Sequence, residues 1–395
     1  FIRQTIDRFV DHLDRAFESW RDEYAALVEE RKRINRVLGR ESSEFSLDMR
    51  RRVIERRLAS MRDGRSNFYT YRYLGGQGFL PNYAFPRESV TVSFYDRDDE
   101  LSRDPVLALR EYAPGNFIYY RGDQYEVKYG RPRTTGDDTL AFEKLLVCPD
   151  CNTAYLGEES AKRGACGYCG ASLTGTHANP RALKMPDMVA TQRQSITSDE
   201  EERQRLGYDT EIHYQHGSSV ETYAVRGTED AGFTLTYEHN GRVINVNRGP
   251  RKAEKDDESM GFGYCQACNR WLVSGTALDE HAGKEGRCPQ DAQPEQVLRG
   301  IHLFTETKND VVTIDCPLPG DVEDVEGFYK TLRHALEQAL SVTMELDERE
   351  IDGFISEVPD DPDRRRIILY ETAEGGTGAV QSLTEAPRLQ SVVRN

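Results

Sequence analysis

RRIILYETAEGGTGAVQSL, Arg365 to Leu383, sets an apolar run, Ile367 to Tyr370, against a glycine-rich turn, Gly375-Gly376-Thr377-Gly378, with a short amphipathic run behind it. Strand, glycine turn, helix is the layout that cradles phosphates, because free N–H groups at a helix start point at an anion. The neighbouring residues argue against that use. A nucleotide-binding loop of the G-x4-G-K-[ST] type needs a lysine that reaches the phosphates, and none follows Gly378. GGTG also lacks the third-glycine spacing of a dinucleotide fingerprint. Glu371 heads the turn with a negative charge, which repels phosphate. The stretch therefore predicts a tight strand-to-helix turn in which Gly375, Gly376 and Gly378 let backbones approach closely. A DNA phosphate meeting the helix start is the minor alternative.

Outward from this turn, the last hundred residues predict an α/β unit. Val311 to Cys316 suits a strand. Val325 to Met344 suits a helix, with a stripe at Phe328, Leu332, Leu336 and Leu340. Glu348 to Phe354 suits a shorter helix or turn. Upstream, short strand-like runs dominate: Ser89–Tyr95, Asn116–Arg121, Gln124–Lys128, Ala141–Val147, Thr210–Gln215, Val220–Arg226, Phe233–Tyr237 and Arg242–Val246. His239-Asn240-Gly241 reads as a hairpin turn between the last two. Residues 249–260 read as a solvated linker. Residues 1–40 predict one long helix with an apolar stripe from Ile6 to Leu38. Ser46 then caps a second helix that runs through Ile54, Leu58 and Met61 to Gly64. The two helices suit an antiparallel hairpin.

Two cysteine clusters interrupt the β-rich region. Cys148, Cys151, Cys166 and Cys169 follow C-x2-C-x14-C-x2-C, a zinc-ribbon spacing. Each C-x2-C pair makes a knuckle that aims two sulfurs at one metal, and Gly167 and Gly170 permit the turn. Four thiolates close a tetrahedral shell, which makes the site structural rather than catalytic. Disulfides or a redox pair are the alternatives, and no secretion signal favours disulfides. Cys265, Cys268, His281 and Cys288 follow C-x2-C-x12-H-x6-C and predict a second structural zinc, on a strand pair followed by a short helix that carries His281. His302 is a rival fourth ligand, but its apolar neighbours suit a packed residue. Cys316 suits a small core hydrophobe.

The chain has 395 residues and a net charge of −16, and 10 of its 52 basic residues are lysine. An acidic, lysine-poor composition is that of proteins from salt-loving archaea, or of an acidic protein from a GC-rich bacterial genome. High salt weakens counterion-driven DNA binding, so contact would rest more on shape, stacking and hydrogen bonds. Residues 31–65 carry a net +7 within this acidic whole. Arg50, Arg51, Arg52, Arg56 and Arg57 cover more than one face of the second helix. They suit either phosphate contact or a salt-bridged helix docked on an acidic neighbour. No run of about 18 apolar residues predicts a membrane-spanning helix. The chain starts at Phe1 with no signal-peptide pattern, so it reads as a cytoplasmic piece of a longer protein.

Three motifs occur in order: GFLPNYAFPRESV (Gly78 to Val90), ALREYAPGNFIYYRGDQYEV (Ala108 to Val127) and ILYETAEGGTGAV (Ile368 to Val380), with cysteine knuckles between the second and third. Together they resemble the C-terminal region of DEAD/DEAH-box helicases that carry an MrfA zinc-binding (MZB) domain. They also resemble the stand-alone MZB-type subunit of the DISARM phage-defence system. The resemblance covers roughly residues 60–395. It rests on Leu80, Pro81, Tyr83, Phe85 and Pro86, on Glu111 to Gly115, and on Glu371 with Gly375, Gly376 and Gly378. It implies an accessory role beside a helicase motor, in DNA repair or defence against foreign DNA, with the ATPase elsewhere.

The combined expectation is an α+β protein. A helical hairpin (1–65) precedes a β-rich region (66–147), a zinc ribbon (148–170) and a β-rich continuation (171–248). A linker with a second zinc module (249–292) and an α/β MZB-like domain (293–395) complete it. The expected partners are two zinc ions, a helicase motor in the same chain or in a separate subunit, and DNA. No Walker A or DExx motif occurs, so no catalytic residue is expected. A pure assembly scaffold without DNA contact is the second reading.

Overall fold

The computed structural model describes residues 9–38, 51, 54–55, 57–59, 61–62, 70–76, 89–97, 99–130, 132, 140–157, 162–176, 178–195, 206–216, 220–226, 232–251, 261–273, 280–282, 287–320, 322–347, 350–358, 361–372 and 378–394. Alternating burial drives the β-rich part. Along the chain, β1 (Val90–Phe94), β2 (Glu100–Arg103), β3 (Phe117–Tyr120), β4 (Asp123–Gly130), β5 (Glu143–Val147), β6 (Ala154–Leu156), β7 (Asn179–Lys184) and β8 (Met188–Ser195) come first. They are followed by β9 (Tyr208–Gln215), β10 (Val220–Arg226), β11 (Gly232–Pro250), β12 (Phe262–Cys265), β13 (Trp271–Leu272), β14 (Val297–Asp315), β15 (Ile351–Val358) and β16 (Asp361–Glu371). β1 shows the cause plainly: Val90, Val92 and Phe94 are buried while Thr91 and Ser93 between them are less so, the period of a strand with one face on a core.

A five-stranded sheet has the order β2-β1-β8-β4-β3. A larger sheet runs β10-β11-β14-β7-β5-β6; β9 adds to β11, β16 to β14, β15 to β16, and the β12–β13 pair to β14. β14 is the hub. It pairs with β12 over Val297–Ile301, with β7 around Leu303, and with both β11 and β16 over Val311–Asp315.

Among the described residues the helices include α1 (Phe9–Ala16), α2 (Glu18–Leu38), α3 (Thr70–Gly76), α4 (Pro105–Glu111), α5 (Val325–Met344) and α6 (Ala386–Arg394). Asp104 caps α4 by accepting the Val106 N–H at 3.0 Å, with Pro105 in the first turn. Asp324 caps α5 in the same way through the Gly327 N–H at 2.9 Å. One apolar core gathers the five-stranded sheet, α4 and the start of β14; another lies between α5, α6 and the β14–β16–β15 end of the large sheet. Ile34 of α2 packs on Ile54 and Leu58, both helical, so the described part of the N-terminal region is a helix pair. No described helix is long and apolar enough to cross a membrane.

Several expectations need correction. The stripe read as one helix over 1–40 is broken at Phe17, between α1 and α2. Glu348 to Phe354, read as helix or turn, contains the start of β15, because a full β16 partner covers it from Ile351↔Glu371 onward. The hairpin at His239-Asn240-Gly241 is not a hairpin. β11 runs through it as one 19-residue strand. Glu238 faces Val311 and Gly241 faces Asn309, which leaves two residues of β11 opposite Asp310 alone. That is a β-bulge, and the buried Asp310 carboxylate anchors it through His239 Nδ1 at 2.7 Å and the Tyr237 hydroxyl at 3.0 Å. β11 also reaches Pro250, into the stretch read as linker; residues 252–260 lie outside the described residues. Strand β14 ends at Asp315, and Cys316 beside it packs half-buried against the core that α5 covers. β2, α4, β7 and β8 are elements the sequence pattern did not single out.

Candidate metal centres

Backbone geometry builds the knuckles. In each C-x2-C turn the first cysteine's N–H donates five residues ahead, and the N–H four residues ahead donates back to its carbonyl. The pairs are Cys148 to Thr153 (2.9 Å) with Asn152 to Cys148 (3.0 Å), then Cys166 to Ala171 (2.8 Å) with Gly170 to Cys166 (3.0 Å). Cys265 to Arg270 (2.9 Å) with Asn269 to Cys265 (2.8 Å) repeats them. The fifth residue of each turn has positive φ: Asn152 (58°), Gly170 (78°) and Asn269 (61°). These are the residue types that tolerate the left-handed region. The expected Gly170 is thus matched by asparagines at two knuckles. An asparagine one residue after the second cysteine, as at Asn152 and Asn269, is the local sequence signal for such a turn.

The knuckles converge as the spacing predicts. The four sulfurs of Cys148, Cys151, Cys166 and Cys169 lie within 4.8 Å of one another, as do the ligand atoms of Cys265, Cys268, His281 and Cys288. Neighbouring sulfurs are 3.7 Å apart for Cys148–Cys169 and 3.6 Å for Cys151–Cys166. Cys265–Cys288 is 3.9 Å, and Cys268 Sγ lies 3.3 Å from His281 Nε2. A tetrahedron with Zn–S bonds of about 2.3 Å has S–S edges near 3.8 Å, whereas a disulfide needs about 2.05 Å. The residues therefore fit zinc and do not fit disulfides. Seven of the eight ligand residues are buried, Cys169 alone being intermediate, so each shell is closed by protein.

Each tetrad holds one thiol favoured as thiolate beside others pushed the opposite way: burial raises Cys151 and Cys169, and the Cys265 thiol together with burial raises Cys268. Burial pushes the Cys166 thiol up, but the N–H groups of Cys169 and Tyr168 and the Tyr155 hydroxyl outweigh it and bring it to about 6. The neighbouring Cys268 thiol brings Cys265 to about 5 against burial, aided by N–H groups of its own turn. Hydrogen bonds to the charged form lower a pKa, and the charged form is the metal ligand.

His302, the rival ligand, lies on β14 opposite Ala182 and is not among the four. Burial, with the nearby Arg248 charge, lowers it to about 4.

Of the arginine candidates, Arg57 donates to Glu23 at 2.8 Å and to Asp187 at 2.7 Å. It fastens its helix to α2 and to the turn before β8. Arg51 is half-buried; Arg50, Arg52 and Arg56 lie outside the described residues. Glu371 is buried, and its carboxylate accepts the Val380 N–H at 3.0 Å. Gly378 is described, with φ of 81°; Gly375 and Gly376 are not. The motif Leu80 to Pro86 is likewise outside the described residues. Glu111 to Gly115 closes α4: Tyr112 and Ala113 are core, Pro114 accepts the Tyr208 hydroxyl at 3.0 Å, and Gly115 donates to Val127 at 2.8 Å.

Fold and sites together define a mixed α+β chain with two cysteine-rich tetrads suited to zinc. Residues 332–394 match the family model of the MrfA Zn-binding domain, MZB. Two similar solved structures are a crystal structure of the DUF1998 helicase MrfA bound to DNA and one of MrfA bound to DNA and AMPPNP. They are 11% and 9% identical, with TM-scores of 0.33 and 0.26 over 78% and 79% of this chain. The chain spans 29% of the length of each of those chains. No curated protein matches. The matched segment contains no cysteine, so both tetrads lie upstream of it.

Proposed function

We propose that this chain is the accessory region of an ATP-dependent DNA helicase, a zinc-stabilised module that contacts DNA and docks a motor without having one itself. The motor lies in the same chain or in a separate subunit, and the setting is DNA repair or defence against foreign DNA. The observation that carries this reading is the MZB match at 332–394 in a chain that also builds two closed, zinc-suited tetrads. Cys148, Cys151, Cys166 and Cys169 hold one zinc; Cys265, Cys268, His281 and Cys288 hold the other. Both ions are structural: four protein ligands leave no position for water or substrate. The division we propose, at 65, 147, 170, 248 and 292, separates a helical hairpin, a β-rich region, a zinc ribbon, a β-rich continuation, a linker with the second zinc module and an MZB-like domain; β12 pairs with β14 across the last boundary.

A second reading is an assembly scaffold without DNA contact. The ion pairs of Arg57 with Glu23 and Asp187 favour it, because they commit one of the five arginines to the protein itself. Native mass spectrometry of the purified chain tests the metals, with two zinc ions per chain expected. Single-stranded DNA binding by fluorescence anisotropy separates the readings. The DNA-binding reading expects binding that Arg50→Glu, Arg52→Glu and Arg56→Glu together abolish, with Arg57 left in place. No binding by the parent chain leaves the scaffold.

A further inference from the structure

We propose that the first tetrad is the metal centre of the C-terminal MZB segment, held there by Ser356 and Arg366, although its ligands lie some two hundred residues earlier in the chain. The inference rests on the zinc reading above. The matched segment offers no thiol of its own, yet two of its residues grip the two knuckles of the first tetrad. Ser356 on β15 donates its hydroxyl to the Cys151 carbonyl at 2.8 Å, both residues being buried. Arg366 on β16 lays its guanidinium over the Tyr168 ring at 4.8 Å. Tyr168 sits between Cys166 and Cys169, and its ring stacks on His216 of the segment after β9, centroids 3.6 Å apart.

These contacts are not scattered. Ser356 and Arg366 are direct cross-strand partners, so their side chains share a face of the sheet. Arg366 is also the partner of Asp315 on β14, whose carboxylate takes its Nε at 3.2 Å. One row across three strands, Ser356–Arg366–Asp315, thus presents a hydroxyl to the first knuckle and a fixed cation to the second. The second tetrad is placed elsewhere. Its Cys265 belongs to β12, which pairs with β13 and with the opposite end of β14. Ser356 and Arg366 are positioning residues: they bind no metal and hold the turns that do.

The test is site-resolved and uses the whole chain. Hydrogen exchange is followed in residues 351–358 and 361–371 of the metal-loaded parent, of Cys148→Ser with Cys169→Ser, and of Cys265→Ser with Cys288→Ser. Loss of the first site is expected to deprotect both strands by about tenfold, while loss of the second leaves them protected. Equal deprotection by both, or none by the first, overturns the assignment. Should the first cysteine pair fail to fold, Ser356→Ala with Arg366→Ala supplies the second arm. Under a chelator, alkylation of Cys148, Cys151, Cys166 and Cys169 is expected to accelerate about tenfold, the change that roughly 1.4 kcal/mol produces, with Cys265, Cys268 and Cys288 unchanged. Equal acceleration in both sets, or none, overturns it. A parent with no metal on the first tetrad defeats the zinc reading itself; metal on that tetrad with β15 and β16 indifferent to its loss defeats only this inference.

Discussion

The Glu371 carboxylate accepts the Val380 N–H at 3.0 Å, joining the last residue of β16 to the far side of the glycine turn. The acid that heads the turn is a buried tie rather than an exposed charge. Glu371→Ala orphans a buried N–H and is expected to cost about 1–3 kcal/mol. Glu371→Gln keeps an acceptor and is expected to cost less. Urea midpoints of the three proteins decide it, and equal losses in both variants would show that the Val380 contact is not what Glu371 contributes.

The knuckle asparagines predict a substitution order. Asn152 and Asn269 hold positive φ and also bond outward, Asn152 to His213 Nδ1 at 2.9 Å and Asn269 to the Tyr264 hydroxyl at 2.8 Å. Alanine and glycine both lose the side-chain bond, so their difference isolates the backbone. Alanine is expected to be worse by roughly 1 kcal/mol at each site, read as a lower melting temperature of the metal-loaded chain.

His302 predicts an acid limb. Its folded pKa, lowered to about 4 by burial first and by the Arg248 charge, lies below an ordinary value of about 6.5. Between these values the unfolded chain binds the proton and the folded chain does not. The contribution of His302 is therefore complete above pH 6.5 and lost as pH falls toward 4. His302→Leu is expected to remove that slope from the stability curve. A parent-minus-variant difference that stays flat from pH 7 to pH 4 would reject it.

Gly241 separates bulge from hairpin. A Cβ there would lie 2.7 Å from the Tyr214 hydroxyl and 2.9 Å from Val311 Cγ2, since β9 and β14 flank it on either side. Gly241→Ala is expected to cost about 1–3 kcal/mol by overpacking. A hairpin-tip glycine would leave that methyl in open space. Denaturant midpoints report the outcome.

What the sequence disclosed followed from how local each signal was. Cysteine spacing encodes a turn of a few residues, so both tetrads assembled from the ligands expected. The stripe from Phe328 to Leu340 and the cap at Asp324 are equally local, and α5 formed over Val325–Met344. His239-Asn240-Gly241 misled because the same three residues suit a tight turn and a bulge. What decides is whether a strand lies opposite, and Asp310, some seventy residues on, is that partner. Glu348–Phe354 misled for the same reason, its partner being the β16 strand. The grip of Ser356 and Arg366 on the knuckles was invisible, because no periodicity links positions two hundred residues apart. Of the three short motifs that carried the resemblance, Ile368–Val380 falls inside the matched segment, yet it gave no hint that thiols from upstream lie against that segment.

Strand β14 is shared by both metal modules. The second joins it at Val297, and the row that grips the first joins it at Asp315. The first knuckle also reaches its middle: Thr153 bridges to Tyr214, Tyr214 faces Val243, and Val243 faces Thr307. One continuous 19-residue strand thus carries both modules, so a break anywhere along it would loosen the two together.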